Sequence, residues 1–198
     1  MDKTVCISLD EQLYRNYNEL YALIMQCYKD VSILKVYMEV QIKELELYSI
    51  TPNISNHIVW STQTELSLTL WKIYFDKNSK ANTIPKFRNL INEKIRKYGK
   101  KNEQIEKAKI KKDVEDKLNL MRREFLAHID MARSNCRIEI SDLSDLLDIM
   151  CKEFNNICSV IDDERVNCIS ERDIELQGFK LQVELLALYN QKNCLVNN

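Results

Sequence analysis

Apolar residues recur every three or four positions along most of the chain, which is the period of an amphipathic α-helix. The clearest stripe runs through residues 10–48 and predicts one long helix or two, because Asp30 offers a cap for a restart. Residues 56–76 are apolar nearly all round, which predicts a helix at the centre of a bundle. Further helices are predicted at about residues 84–98, 102–133, 141–161 and from 170 onward.

Several residues mark where these helices should begin. Thr83 precedes Ile84 and Pro85, so it is predicted to cap a helix with proline in its first turn. Ser170 and Asp173 resemble a capping box with Asp in place of Glu. The stretch 49–55 is predicted to be a loop, because Pro52 cannot sit inside a helix. The resulting fold class is all-α, a bundle of about six helices.

The aromatic residues fit this bundle. Tyr14, Tyr21 and Tyr28 repeat every seven residues beside the first stripe, so they are predicted to be core or rim rather than a base-stacking platform. Trp60 and Trp71 fall in the most apolar helix and are predicted to lie in the core.

Length and composition agree with long helices and few turns. The chain has 198 residues, which suits one domain over residues 1–198 with a substantial apolar core, since 45% of the residues are hydrophobic. Only 2 Gly and 2 Pro occur. A chain with so few turn formers cannot easily make many tight hairpins.

Cysteine and histidine usage bears on metal chemistry and on the compartment. The chain has 7 Cys but no Cys-x-x-Cys pair, and it has 2 His. We therefore expect no metal site and no cofactor, and we interpret most of the cysteines as small core residues in a reducing compartment. No signal-peptide pattern and no apolar run of 18 residues is visible, so we expect a cytoplasmic protein with no membrane span.

Charge is balanced overall, with 29 basic and 30 acidic residues, but it is unevenly distributed. Residues 94–112 hold nine basic and two acidic residues, a net charge of +7. Residues 139–175 hold eleven acidic and three basic residues, a net charge of −8. In one interpretation both regions are solvated faces. In the other, the basic strip binds a nucleic-acid backbone through Lys107, Lys109, Lys111 and Lys112.

One constellation carries chemistry. Arg122 and His128 fall at opposite edges of an apolar helical stripe, about 120° apart at 100° per residue. Arg123 points away from that stripe, and Glu124 lies four residues before His128, so these two side chains are neighbours on a helix. A lone Arg and His at a helix end can also simply satisfy the last carbonyl groups.

Arg122, Ala127, His128 and Asp130 together resemble the motif of the HEPN superfamily, in its abortive-infection U branch. The segment Trp71 to Asp76 also looks like this branch, and the resemblance spans roughly residues 10–190. The resemblance implies a homodimer in which the motifs of two protomers face one cleft. It also implies metal-independent RNA cleavage in a phage-defence (abortive infection) or toxin–antitoxin system, with an antitoxin or defence protein as a possible partner.

The chemistry implied by the resemblance suits the residues. The ribose 2′-hydroxyl attacks the adjacent phosphate, His128 moves the proton, and Arg122 holds the phosphate oxygens. Asp130 or Glu124 would orient the imidazole. The chain departs from the family at Arg123, where Asn, Asp or His is usual, and Arg123 itself is the alternative motif arginine. The alternative function is a non-catalytic HEPN-like module that binds nucleotides or proteins, and a third possibility is a purely structural bundle.

Overall fold

The computed structural model describes residues 7–43, 52–98, 104–127 and 138–176 of the chain. The regular structure of these residues is helical. Within those ranges there is no strand, only one isolated parallel bridge between Ile7 and Ile161. The all-α prediction is therefore confirmed. The helices are α1 (Glu11–Lys43), α2 (Pro52–Phe75), α3 (Ile84–Lys97), α4 (Lys112–Ala127), α5 (Ile140–Cys158) and α6, which is described over residues 171–176.

The described part of the first apolar stripe forms one continuous helix, and residues 44–48 of that stripe lie outside the described residues. Asp10 accepts a hydrogen bond from the Leu13 backbone N–H at 2.9 Å and so satisfies one of the unpaired donors of the first turn of α1. Asp30 caps no second helix, because it lies inside α1 and is buried, with 2% of its surface exposed. Of the two possibilities that the pattern allowed, the single long helix is the one found.

The second helix departs from the prediction at its beginning. Residues 49–51 of the predicted loop lie outside the described residues, and residues 52–55 belong to α2, of which Pro52 is the first residue. A proline is tolerated there because the first N–H groups of a helix have no intrahelical acceptor. The prediction that Trp60 lies in the core is also wrong, since 43% of its surface is exposed. On α2, Trp60 projects about 120° away from the fully buried Leu66, at 100° per residue.

Two predicted helix starts are confirmed. Thr83 has an extended backbone, with φ −132° and ψ 151°, and its side chain accepts a hydrogen bond from the Lys86 N–H at 3.4 Å. At the start of α6, the Asp173 N–H donates to Ser170 Oγ at 3.2 Å and the Ser170 N–H donates to the Asp173 carboxylate at 3.0 Å. This reciprocal pair is the capping box, with Asp in the position usually held by Glu.

The largest difference lies between α3 and α4. The predicted helix over 102–133 begins only at Lys112, and the described residues before it, 104–111, are not helical. Side chains from other helices bind the backbone of this segment. Asn92 on α3 makes two hydrogen bonds to Ile105, and Glu153 on α5 accepts one from the Ala108 N–H. These bonds satisfy backbone groups that a helix would otherwise have paired with each other.

The core is one cluster of buried apolar residues that includes members of α1 to α5. At its centre the rings of Tyr17 and Phe154 stack at 5.7 Å between centroids, and Phe87 lies 6.4 Å from Phe154. Tyr28 is buried, whereas Tyr14 and Tyr21 are half-buried at the edge of the cluster, as predicted. None of the helices among the described residues has the length and apolar character needed to cross a membrane.

A buried polar network lies beside this core. Arg88 on α3 and Glu153 on α5 form an ion pair at 2.7 Å, and both residues are buried. The Tyr74 hydroxyl on α2 donates to the other carboxylate oxygen of Glu153 at 2.6 Å. Burial raises the pKa of Tyr74, and the adjacent Glu153 raises it further, so the phenol keeps its proton and remains a donor. The network joins three helices through one fully paired carboxylate.

Candidate functional site

Helices α2 and α4 together position the motif arginine. The guanidinium of Arg122 lies over the ring of Trp71, 4.0 Å from the ring centroid. The indole Nε1–H of Trp71 in turn donates a hydrogen bond to Asn119 Oδ1 at 2.8 Å. Asn119 is three residues before Arg122 on α4, so the two side chains lie on adjacent turns and hold the same ring. Both Arg122 and Trp71 are half-buried.

This arrangement restricts the arginine without neutralising it. A cation over an aromatic face is attracted by the ring quadrupole, and the planar guanidinium keeps its N–H donors in its own plane. Among the described residues, no carboxylate pairs with Arg122. In the described part of the chain, the partner that holds the guanidinium is therefore the uncharged ring of Trp71.

The other residues of the motif are only partly visible. Arg123 is exposed, on a different side of α4 from the one that contacts Trp71. The side chain of Glu124, and all of His128 and Asp130, lie outside the described residues. Helix α4 is described to Ala127, so His128 is the next residue along the chain. Arg122 is thus the arginine with a defined contact to α2, while Arg123 points into solvent.

Three lysines of the basic strip lie on the non-helical segment 104–111, which leads into α4. Lys107, Lys109 and Lys111 are exposed, and the residues between them, Ala108 and Ile110, are half-buried. This alternation is the period of an extended chain, in which every second side chain points the same way. We call these three residues the lysine row.

Lys112, the fourth predicted RNA-binding lysine, is the first residue of α4. It is exposed, and it lies 3.5 Å from the carboxylate of Asp116, one turn further along the helix. Lys112 and Arg122 are separated by about 15 Å along the axis, at 1.5 Å per residue. The lysine row and the motif arginine therefore belong to consecutive parts of one stretch of chain.

Several carboxylates of the acidic region at 139–175 have structural partners. Asp142 on α5 pairs with Lys117 on α4 at 3.6 Å, and Asp148 accepts a hydrogen bond from the Tyr28 hydroxyl at 2.9 Å. Glu153 is the buried partner of Arg88. Asp163 pairs with Arg165 at 2.8 Å, and the hydrogen bonds from Arg165 lower the pKa of Asp163 to about 2. These carboxylates act as structural partners, which accounts for part of the charge asymmetry.

A groove of about 420 Å³ runs along α2. Most of the surface that faces the groove belongs to apolar atoms, although several lining residues are polar. Among the described lining residues, Glu65 and Lys72 are charged. The described lining residues are Trp60, Ser61, Thr64, Glu65, Leu68, Thr69 and Lys72. Such a lining suits an apolar side chain better than a phosphate. No group of three or more potential metal ligands occurs among the described residues.

Sequence reasoning missed the residues that support the site. Trp71 was predicted to be core, but it is half-buried and forms the platform for Arg122. Asn92 and Glu153, which hold the segment of the lysine row, were not singled out. One signal was present: Asn92 and Glu153 each fall at a buried position of an amphipathic helix, where a polar residue requires a partner.

Comparison of the chain with protein-family models, with curated proteins and with solved structures gives no match.

Proposed function

We propose that this protein is a metal-independent endoribonuclease of a phage-defence or toxin–antitoxin system, in which Arg122 and His128 act on the scissile phosphate. The observation that carries the proposal is the placement of Arg122. Its guanidinium is half-buried and held against the Trp71 ring, with no carboxylate partner among the described residues. A positively charged group held in this way suits the binding of a phosphate. The motif resemblance supplies His128 six residues later.

The proposed reaction is an internal transesterification. The ribose 2′-oxygen forms a bond to the adjacent phosphorus, and the bond from phosphorus to the 5′-oxygen of the next nucleotide breaks. His128 accepts the proton of the 2′-hydroxyl, and the leaving 5′-oxygen takes up a proton from water. Arg122 stabilises the negative charge that accumulates on the phosphate oxygens in the transition state. Asp130 or Glu124 would orient the imidazole.

We also propose that the active species is a homodimer. Trp60 supports this, because a tryptophan with 43% of its surface exposed beside an apolar groove is typical of an interface. The resemblance implies that the motifs of both protomers face one cleft. RNA is the proposed substrate, and an antitoxin or another defence protein is the proposed regulatory partner.

The test compares His128→Ala and Arg122→Ala with the wild-type chain, expressed in cells while growth and RNA integrity are followed together. We expect the wild type to slow growth and to fragment RNA. The His128 variant should lose cleavage by a factor of about 10² to 10⁴, the contribution of a positioned general acid or base. The matched control is His57→Ala, which removes the other histidine, an exposed residue on α2. Equal cleavage by wild type and His128→Ala would refute the catalytic proposal.

The lysine row favours a second candidate function. Its exposed charges do not depend on His128, so the chain could bind RNA as a non-catalytic module. RNA binding by the purified wild type without any cleavage product would select this alternative.

A further inference from the structure

The segment that carries the lysine row is held by side chains of the bundle. Asn92 Nδ2 donates to the Ile105 carbonyl at 3.0 Å, and Asn92 Oδ1 accepts from the Ile105 N–H at 2.9 Å. Three residues further on, the Ala108 N–H donates to Glu153 Oε2 at 2.9 Å. Asn92 and Glu153 are buried, at 6% and 2% exposure. The backbone is therefore attached to two different helices, α3 and α5, just before the row and within it.

The second attachment point is itself firmly held. Glu153 pairs with Arg88 through one carboxylate oxygen and accepts the Tyr74 hydroxyl through the other. A carboxylate with three donors from three parts of the chain has little freedom to rotate. The position of Ala108, between Lys107 and Lys109, is consequently set by the core of the bundle.

The alternation of exposed and half-buried residues from Lys107 to Lys111 indicates an extended chain, which aligns the three lysines in one array. In an extended chain, residues two apart lie about 6.6 Å from each other, at about 3.3 Å per residue. Lys107, Lys109 and Lys111 thus point the same way at a regular repeat, along about 13 Å of surface. Had this segment formed the helix predicted from the sequence, the side chains of Lys107 and Lys109 would point about 200° apart around the helix axis. The array exists only because the segment is not helical.

From this arrangement we infer that the lysine row binds the backbone of a single-stranded RNA, with one phosphate to each lysine. The phosphates of an extended single strand follow one another at a repeat close to that of the row. A duplex of the same length distributes its phosphates over two strands on either side of a groove, so a single straight row reaches only one of them. Ammonium groups contact phosphates as point charges and read no base edges, so the site has no sequence preference.

The choice of RNA as the nucleic acid rests on the proposed function, but the binding site does not require cleavage. The row leads directly into α4, which carries Arg122 about 15 Å beyond its first residue. A strand bound along the row therefore continues toward the motif arginine. An extended acidic peptide presents carboxylates at a similar repeat and is the competing ligand to be tested.

The experiment measures binding without cleavage. The full chain carrying His128→Ala is titrated with a fluorescein-labelled oligouridine of ten nucleotides, and anisotropy is followed across a series of salt concentrations. Replacing the three lysines of the row by Gln should reduce the slope of log K against log salt by about 2, because each phosphate contact on a single strand contributes about 0.7. A matched control replaces three other exposed lysines, Lys35, Lys77 and Lys80, by Gln and should leave the slope unchanged.

Three outcomes would overturn the inference. In the first, the row variant and the control variant have the same salt slope as the parent protein. In the second, a duplex RNA of equal length loses as much affinity as the single strand when the row is replaced. In the third, a polyglutamate peptide of equal charge displaces the oligouridine as effectively as unlabelled oligouridine does.

Amide exchange in the free protein tests whether the row is formed in advance. The N–H groups of Ile105 and Ala108 should exchange more slowly than those of Lys107 and Lys109, because Asn92 and Glu153 hold them. Equally fast exchange at all four amides would mean that the array is not preformed. If the protein binds oligouridine as expected but the wild type cleaves no RNA, the proposed catalysis fails and the binding site stands.

Discussion

Asp30 allows a direct test of how burial in the bundle changes the ionisation of a carboxyl group. Asp30 is a residue of α1, and 2% of its surface is exposed. One oxygen accepts a hydrogen bond from Gln26 Nε2 at 2.9 Å, whereas Oδ2 has no hydrogen-bond partner among the described residues. Burial is the main reason that the pKa of Asp30 rises from its ordinary value of 3.8 to about 6; the hydrogen bond from Gln26 and the charge of Lys29 oppose the rise, and the nearby charge of Glu65 adds to it.

The direction of the pH effect follows from the raised pKa. Between about pH 4 and pH 6 the folded protein holds a proton that the unfolded chain has already released. Stability is therefore highest below the unfolded pKa and falls as the pH rises through the folded pKa. A rise of about two pKa units corresponds to about 3 kcal/mol in the free energy of unfolding. About 2 kcal/mol of this stability is lost between about pH 4 and about pH 7.5.

The variant Asp30→Asn removes the ionisation and keeps the size of the side chain. We expect the free energy of unfolding of the variant, relative to wild type, to rise by about 2 kcal/mol between about pH 4 and about pH 7.5. Urea denaturation followed by circular dichroism at both pH values measures this difference. The variant also buries a side-chain amide N–H group. The free-energy cost of doing so is the same at both pH values, so it cancels when the two are compared.

The control is Asp145→Asn, at an exposed position of α5, which should show no such difference between the two pH values. If Asp30→Asn changes the stability by the same amount at both pH values, then Asp30 ionises in the folded protein as it does in the unfolded chain. The reasoning from burial would then be wrong.

The remaining predictions concern the network, the oligomer and the chemistry. Tyr74→Phe should lower the free energy of unfolding by about 2 kcal/mol in urea denaturation, because it removes a buried hydrogen bond to the charged Glu153, whereas Tyr98→Phe, at a residue with 63% exposure, should have almost no effect. Light scattering at micromolar concentration should give about twice the chain mass of 23.5 kDa, and a monomer at that concentration would contradict the composite cleft. Cleavage of RNA should survive EDTA, because His128 and Arg122 are proposed to supply the proton transfer and the positive charge; loss of cleavage that a divalent metal restores would argue for different chemistry.

Local features of the fold were predictable from the sequence because they depend on neighbouring residues. Thr83 and Pro85 marked the start of α3, and Ser170 with Asp173 marked the start of α6. Pro52 was assigned wrongly because proline occurs both in loops and at the first helical position, and its own identity does not distinguish the two.

The segment of the lysine row could not be predicted, because the partners that determine it are distant in sequence. Ile105 is bound by Asn92, 13 residues earlier, and Ala108 by Glu153, 45 residues later. The apolar spacing through Ile110 and Val114 is compatible with a helix and carries no information about either bond. Arg122 stays a site residue predicted from the motif, and its contact with Trp71 joins residues 51 positions apart and appears only in the folded protein.

The bond between Glu153 and Ala108 also constrains the order in which the protein can assemble. During synthesis the lysines leave the ribosome well before α5, so their segment lacks its second attachment until 45 more residues have been made. Closing a loop of that length lowers the entropy of the chain. The favourable free energy of packing α5 against the earlier helices must offset this cost. The nascent chain therefore carries the charges before it can arrange them. The RNA affinity proposed for the lysine row should accordingly develop late, at the step in which α5 docks and completes the bundle.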